Sequence, residues 1–152
     1  MLIKLFSKTK AYGICLYQMN ENNIRILLCK SINSKKRWGF LKGCSLNREL
    51  PMITAQREFL EESGIITYIK DYEEYFEQRN EDKDIGIWLL NANKIPNFHK
   101  YFIQDDLKDY FLSMENSEAK FFEVDDLPKI KSKQKDLVKD IIRFLKNKRQ
   151  YH

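Results

Sequence analysis

The chain is poor in the residues that build several common kinds of site. It has two histidines, His99 and His152, and three cysteines with no C-x-x-C pair, which argues against a zinc centre or a histidine-based triad. Five glycines and three prolines in 152 residues exclude collagen, flexible linkers and proline-rich ligand tracts. No run of about 18 apolar residues occurs, so no membrane span is expected. The opening MLIKLFSKTK is interrupted by lysine too early for a secretory signal, and the expected location is the cytoplasm. Three cysteines cannot all pair, and Cys15 and Cys29 lie in apolar runs where a reduced thiol behaves as a small hydrophobe. With imidazoles and paired thiols scarce, catalysis would fall to carboxylates and hard metal ions.

What is present is apolar mass and unevenly placed charge. Apolar residues make up 43% and aromatics 13%, enough for a buried core in one domain spanning 1–152. The net charge of +5 hides three blocks. Residues 1–37 carry eight Lys/Arg against one acid, residues 49–84 eleven Asp/Glu against four bases, and residues 129–149 nine bases against two acids. An acidic centre between basic flanks suits a polyanion that needs metal ions at one point and cations around it. The alternative is a set of solvated charged faces.

Strands and helices alternate, which points to an α/β sandwich. Residues 11–19 and 24–30 read as strands joined by a turn at Asn20–Asn23. Residues 31–50 read as a loop. Residues 51–63 read as a helix, with Pro51 in its first turn and Gly64 just past its end. On that helix Ile53, Phe59 and Leu60 are expected to face a sheet. Residues 65–76 and 85–90 read as a pair of strands, 105–112 as a short helix and 119–124 as a late strand. Leu137, Val138, Ile141, Ile142 and Leu145 repeat at helical spacing, predicting a basic amphipathic helix over about 132–148.

The informative stretch is Gly43–Ile65, GCSLNRELPMITAQREFLEESGI. At 100° per residue Glu58, Glu61 and Glu62 share a sector of about 100°. Carboxylates at these spacings are neighbours and repel one another, and Arg57 offsets only part of that. A divalent cation would turn the repulsion into binding; an exposed acidic helix face is the alternative. Gly43 stands six residues before Glu49, Glu49 stands eight before Arg57, and Gly64 closes the helix. This spacing resembles the signature of the Nudix hydrolase family at Gly43, Glu49, Arg57, Glu58, Phe59, Glu61, Glu62, Gly64 and Ile65. Seven named residues, each near one in fifteen by composition, would coincide by chance on the order of 10⁻⁸ times per start position.

The resemblance implies a Nudix-type α/β/α sandwich with a mixed central sheet, and a pyrophosphohydrolase activity dependent on Mg²⁺ or Mn²⁺. It implies that Glu58 and Glu62 are metal ligands, joined by the carbonyl of Gly43. Glu61 would be a further ligand or the water-activating base. Glu49 and Arg57 would pair to hold the loop on the helix. Some members take the general base from a later loop; here Glu118, or else Glu115, stands in that place. Trp38 and Lys42 lie in WGFLKG, which resembles the approach to the signature in several polyphosphate and RNA-end branches. Trp38 would stack on a base, or pack in the core; Lys42 would contact a phosphate, or stay solvated. Two departures stand out: Leu41 replaces a usual proline, and Arg48 replaces the glycine that many members carry before the residue matching Glu49. Cys44 is an unusual neighbour for a metal loop.

Sub-signatures of ADP-ribose, coenzyme A and NADH hydrolases are missing, and no Tyr stands at the spacing seen in one dinucleoside polyphosphate group, where the chain reads Glu81-Asp82-Lys83. The basic flanks and WGFLKG lean toward a highly anionic nucleotide, such as a dinucleoside polyphosphate or a nucleoside triphosphate. An RNA 5′ triphosphate is the second reading, and a low-turnover nucleotide- or nucleic-acid-binding module the third. No membrane partner is expected, and nothing in the chain signals an oligomeric state.

Overall fold

The computed structural model describes residues 8–34 and 36–151. Residues 1–7 and Lys35 of the basic N-terminal segment, and His152, therefore lie outside the described residues. The chain runs β1 (Thr9–Met19), β2 (Ile24–Ser31), β3 (Leu41–Cys44), α1 (Pro51–Ser63), β4 (Tyr75–Gln78), β5 (Lys83–Asn91), β6 (Phe102–Ile103), β7 (Asp106–Leu107), β8 (Asn116–Glu123) and α2 (Lys135–Gln150). The sheet order is β4-β5-β1-β2-β8-β7-β6, with β3 paired to β1. β1 and β5 are parallel, whereas the other pairs are antiparallel, so the sheet is mixed. Among the described residues no helix is long and apolar enough to cross a membrane.

β1 is the central strand, buried from Ala11 to Tyr17. Successive side chains of a strand point to opposite faces. Tyr12, Ile14 and Leu16 therefore join Ala55 and Phe59 of α1 in one core, while Cys15 and Tyr17 join Leu137, Val138, Ile141 and Leu145 of α2 in a second. The β1–β2 turn closes as an Asx turn, with Asn20 Oδ1 accepting from the backbone N–H groups of Asn22 and Asn23 at 2.8 Å each. α1 ends at Gly64, whose left-handed φ of 72° lets its N–H reach the Leu60 carbonyl at 2.8 Å.

Several local expectations change. Residues 65–74 do not form a strand; Ile69–Asp71 is a short 3₁₀ turn and pairing starts only at Tyr75. Gln56 Nε2 donates to the Thr67 carbonyl at 2.7 Å, tying the start of that stretch to α1, while Glu73 and Glu74 at its end exchange backbone hydrogen bonds with Leu89 of β5. No helix forms at 105–112: residues up to Leu107 belong to the β6–β7 hairpin, turned at Gln104, whose φ is 54°, and Lys108–Leu112 form turns in which the Phe111 and Leu112 N–H groups donate to the Lys108 and Asp109 carbonyls. The Asp105 carbonyl accepts from the Phe121 N–H at 2.9 Å, which holds the turn against β8. On α1, Phe59 is buried as expected, but Ile53 and Leu60 are 38% and 43% exposed. The buried positions are Thr54, Ala55, Phe59, Glu62 and Ser63. Small side chains at 54, 55 and 63 bring the helix close to the sheet and carry Glu62 in with it.

Candidate active site

The loop between β3 and α1 is held by one ion pair with several further bonds. Arg57 Nε and Nη2 donate to the two oxygens of Glu49 at 2.7 and 2.9 Å. Glu49 Oε1 also accepts from the Leu46 N–H at 3.0 Å and the Thr54 hydroxyl at 2.8 Å. Arg57 Nη2 reaches the Cys44 carbonyl at 3.1 Å. The Arg57 guanidinium holds the Glu49 carboxyl down at about 2. Arg48, at the glycine-like position, takes a left-handed φ of 63°. That conformation costs a non-glycine residue about 1–2 kcal/mol.

Gly43 lies on the α1 face of β3, opposite Tyr12. A Cβ there would collide with the Glu58 carboxyl, so glycine lets Glu58 lie against the strand backbone. Glu58 Oε1 accepts from Arg57 Nη1 at 2.8 Å, and the same nitrogen reaches Glu61 at 3.3 Å. Burial raises the Glu58 pKa, Arg57 lowers it, and the charges of Glu61 and Glu115 raise it again. The Glu61 side chain is 56% exposed. Glu62 is buried; Oε1 accepts from Asn116 Nδ2 at 2.9 Å, and Oε2 has no hydrogen-bond partner among the described residues. Burial pushes its carboxyl up to about 7.

Among the described residues no three His, Cys, Asp or Glu side chains stand at ion-holding distances, since Arg57 Nη1 lies between Glu58 and Glu61. The donor set nevertheless fits a hard divalent cation. All its atoms are oxygens, one buried carboxylate oxygen lacks a partner, and Gly43 leaves Glu58 beside backbone.

The structure separates the other sequence-predicted residues. Ala119 and Phe121 face the α1 core, so strand alternation puts Glu118 on the opposite face. Glu118 pairs across the sheet with Lys30, and its pKa is raised by burial and by its hydrogen bond with Asp106. Glu115 is the late-loop acid whose charge Glu58 feels. Trp38 is only 7% exposed and packs edge-on against Phe122 at 4.7 Å, taking the core alternative rather than the surface one. Lys42 follows Leu41, whose side chain enters the α1 core, and so points to the α2 face. Cys44 is exposed, whereas Cys15 and Cys29 are buried. Sequence reasoning missed Asn116, the amide that holds Glu62; its only cue was its position beside Glu115 at the start of the late strand.

The NUDIX domain profile matches residues 7–145. No curated protein matches the sequence. Among solved structures, an Ap4A hydrolase binary complex from C. elegans superposes with a TM-score of 0.63 at 24% identity, covering 91% of this chain and 98% of that one. The NUDIX domain of Shewanella oneidensis NrtR, complexed with ADP ribose, gives 0.66 at 14% identity over 93% and 92%. A MutT protein from Methanosarcina mazei Go1 gives 0.60 at 17% identity over 91% and 96%. These likenesses are to the fold, a mixed sheet between helices. With the profile spanning nearly the whole sequence and every fixed position of the signature occupied around one acidic helix, the chain belongs to the Nudix family.

Proposed function

We propose that the chain hydrolyses a diphosphate linkage in a nucleoside-diphosphate-linked substrate, a nucleoside or dinucleoside polyphosphate. The observation that carries the reading is the pairing of Glu58, seated against Gly43, with Glu62, whose Oε2 is buried without a partner. The Gly43 carbonyl, Glu58 and Glu62 would hold Mg²⁺ or Mn²⁺, with Glu61 alongside. Such ions neutralise charge on the diphosphate and lower the pKa of an attacking water. Glu61, the most exposed of the three acids, would take the proton of that water. Glu115 is the further carboxylate on this side, a better placed second candidate than Glu118. Asn116 fixes the Glu62 carboxylate, and the Arg57–Glu49 pair fixes the loop that presents Gly43.

Similarity to an Ap4A hydrolase favours a dinucleoside polyphosphate, although an RNA 5′ triphosphate offers the same linkage. Three free thiols suit a reducing compartment, and we place the enzyme in the cytoplasm. The test is product release with Mg²⁺ over diadenosine polyphosphates, nucleoside triphosphates, ADP-ribose and triphosphorylated RNA. Glu58→Gln and Glu61→Gln should each lose about 10²-fold or more in kcat. Full turnover in both variants would contradict the mechanism, and no turnover of any substrate by the wild type would favour a binding module.

A further inference from the structure

The β7 edge of the sheet brings two acids together on the face turned away from α1. β7 meets β8 at one pair, Asp106 opposite Lys120. Ala119 and Phe121 face α1, so Glu118 and Lys120 share the other face, where Asp106 is a diagonal neighbour of Glu118. Asp106, Asp109 and Glu118 line one cavity of about 410 Å³, together with Lys108 and Ser117. Among the described residues none of these three acids forms an ion pair, and Lys108 pairs with no acid. The other cations nearby lie on aromatic rings. Lys30, across from Glu118 on β2, is 5.3 Å from the centre of the Trp38 ring, and Lys120 is 5.0 Å from that of Phe122. Burial and the hydrogen bond with Asp106 raise the Glu118 pKa, and the charges of Lys120 and Lys30 offset only part of that.

The hairpin is thus anchored on one face and contested on the other. Strands of two residues are too short to stand alone. On the α1 face Phe102 and Leu107 enter the core, and an ion pair joins Asp105 to Arg25, which lies 5.5 Å over the Phe121 ring. On the far face the hairpin meets β8 through Asp106 and Glu118. Two ionised carboxylates side by side repel each other, whereas one proton between them makes a hydrogen bond.

We propose that Asp106 and Glu118 form a proton-operated clasp, which holds the outer face of the β6–β7 hairpin on β8 in acid and loosens it at neutral pH. In acid one carboxyl O–H donates to the other carboxylate. As pH rises that proton leaves to water, and two negative charges face each other across the strand pair. The raised value of Glu118 sets the sign: the stabilisation is complete below the ordinary value of 4.5 and is lost as pH climbs through the higher folded-state value. The clasp bears on the acidic site through the segment that follows it. Phe111 packs against Gly64 at the end of α1, Glu115 lies within charge reach of Glu58, and Asn116 holds Glu62. Loosening the hairpin gives that segment more freedom.

The test is amide hydrogen exchange followed by NMR at pH 5.0 and 7.0, with each rate corrected for the intrinsic effect of pH. It uses the full chain carrying Glu62→Gln, in EDTA, so that the other raised carboxyl does not titrate. The reporters are the Phe121 N–H, which donates to the Asp105 carbonyl, and the Lys108 N–H, which donates to the Tyr101 carbonyl. Their protection should fall at least threefold from the lower pH to the higher, while that of the Cys29 N–H, bonded to Gly39, should stay constant. Adding Asp106→Asn or Glu118→Gln should each abolish the fall, because an amide donates to the remaining carboxylate at either pH. Asp109→Asn, which removes a charge from the same cavity but not the bonded pair, should keep it. Equal protection at the two pH values, an equal fall at Cys29, or a fall that persists in both pair variants would overturn the proposal.

Discussion

The two faces of the sheet have opposite electrostatics and the same construction. On the α1 face, Glu58, Glu61 and Glu62 stand around Gly43 with one arginine among them. On the α2 face, five cations surround a cavity, and one of them, Lys133, is paired with Asp82. The division falls between two consecutive residues of β3, Lys42 and Gly43, which alternation sends to opposite sides. Each set of like charges is held in place by hydrogen bonds made elsewhere: Glu49–Arg57 and Asn116 on one face, Gln134 and Asn80 on the other. Repulsion is built into both faces, and on the α1 face it suits a divalent cation.

Breaking the acidic face should have the largest effect. Glu62→Gln keeps the side chain's shape but removes the charge, and should lower kcat by about 10²-fold or more in a Mg²⁺ assay. Unchanged turnover in this variant would contradict the role given to the acidic face.

Removing the clamp should cost stability next. Glu49→Gln leaves Arg57 without its two-point partner and should destabilise the fold by about 2 kcal/mol, roughly 4–8 °C in melting temperature for a chain of this size. The pH dependence follows from the depressed pKa of Glu49. Its unfolded-state value lies near 4.5, so the clamp contributes fully above that pH. The contribution fades as pH falls from 4.5 toward 2, and acid melts of Glu49→Gln should lack that part of the decline. Glu62 works the other way in metal-free protein. Its raised pKa means that the folded state holds a proton the unfolded state has lost between pH 4.5 and about 7, so stability falls as pH rises through that window. Melts of Glu62→Gln in EDTA should not show this fall.

The smallest effect should come from the loop. Arg48→Gly relieves a left-handed residue and should raise stability by about 1 kcal/mol in chemical denaturation, after the greater chain entropy of glycine is set against the strain. Loss of stability would mean that the Arg48 side chain has a role its backbone does not show.

The sites were legible in the sequence to very different degrees. Fixed spacing within one loop and helix made the acidic face readable, because positions 43–65 depend on local geometry: a glycine at the strand, a clamp across the loop and three acids on two turns. The α2-face cavity was not readable, since Arg37, Lys83 and Lys131 lie in three separate segments that only sheet pairing unites. In the sequence Lys42 reads as a phosphate contact or a solvated lysine, but its face depends on β3 pairing with β1, within a stretch, 31–50, that reads as loop. Glu118 was preferred over Glu115 by position alone. A register shift between Lys30 and Ser31 brings Asn116 toward Glu62, while regular pairing leaves Glu118 beside Lys30 on the other side. The strand expected at 65–76 and the helix at 105–112 failed for a related reason. Local sequence marks both as regular elements, but hydrogen bonds to other elements, Gln56 to Thr67 and Phe121 to Asp105, hold their backbone in other forms. Ile53 and Leu60 were placed inward by hydropathy, whereas the small residues at 54, 55 and 63 set which side of α1 approaches the sheet.

The central claim is that Glu62 and its neighbours hold a divalent cation, and the most direct measurement is the melting temperature at pH 7.5 as Mn²⁺ is raised, in wild type and in Glu62→Gln. The account predicts a rise in wild type that continues with the logarithm of Mn²⁺ concentration, about 2.7 kcal/mol at a hundredfold excess over Kd, and little or none in the variant. An equal rise in both proteins, or none in either, would contradict it.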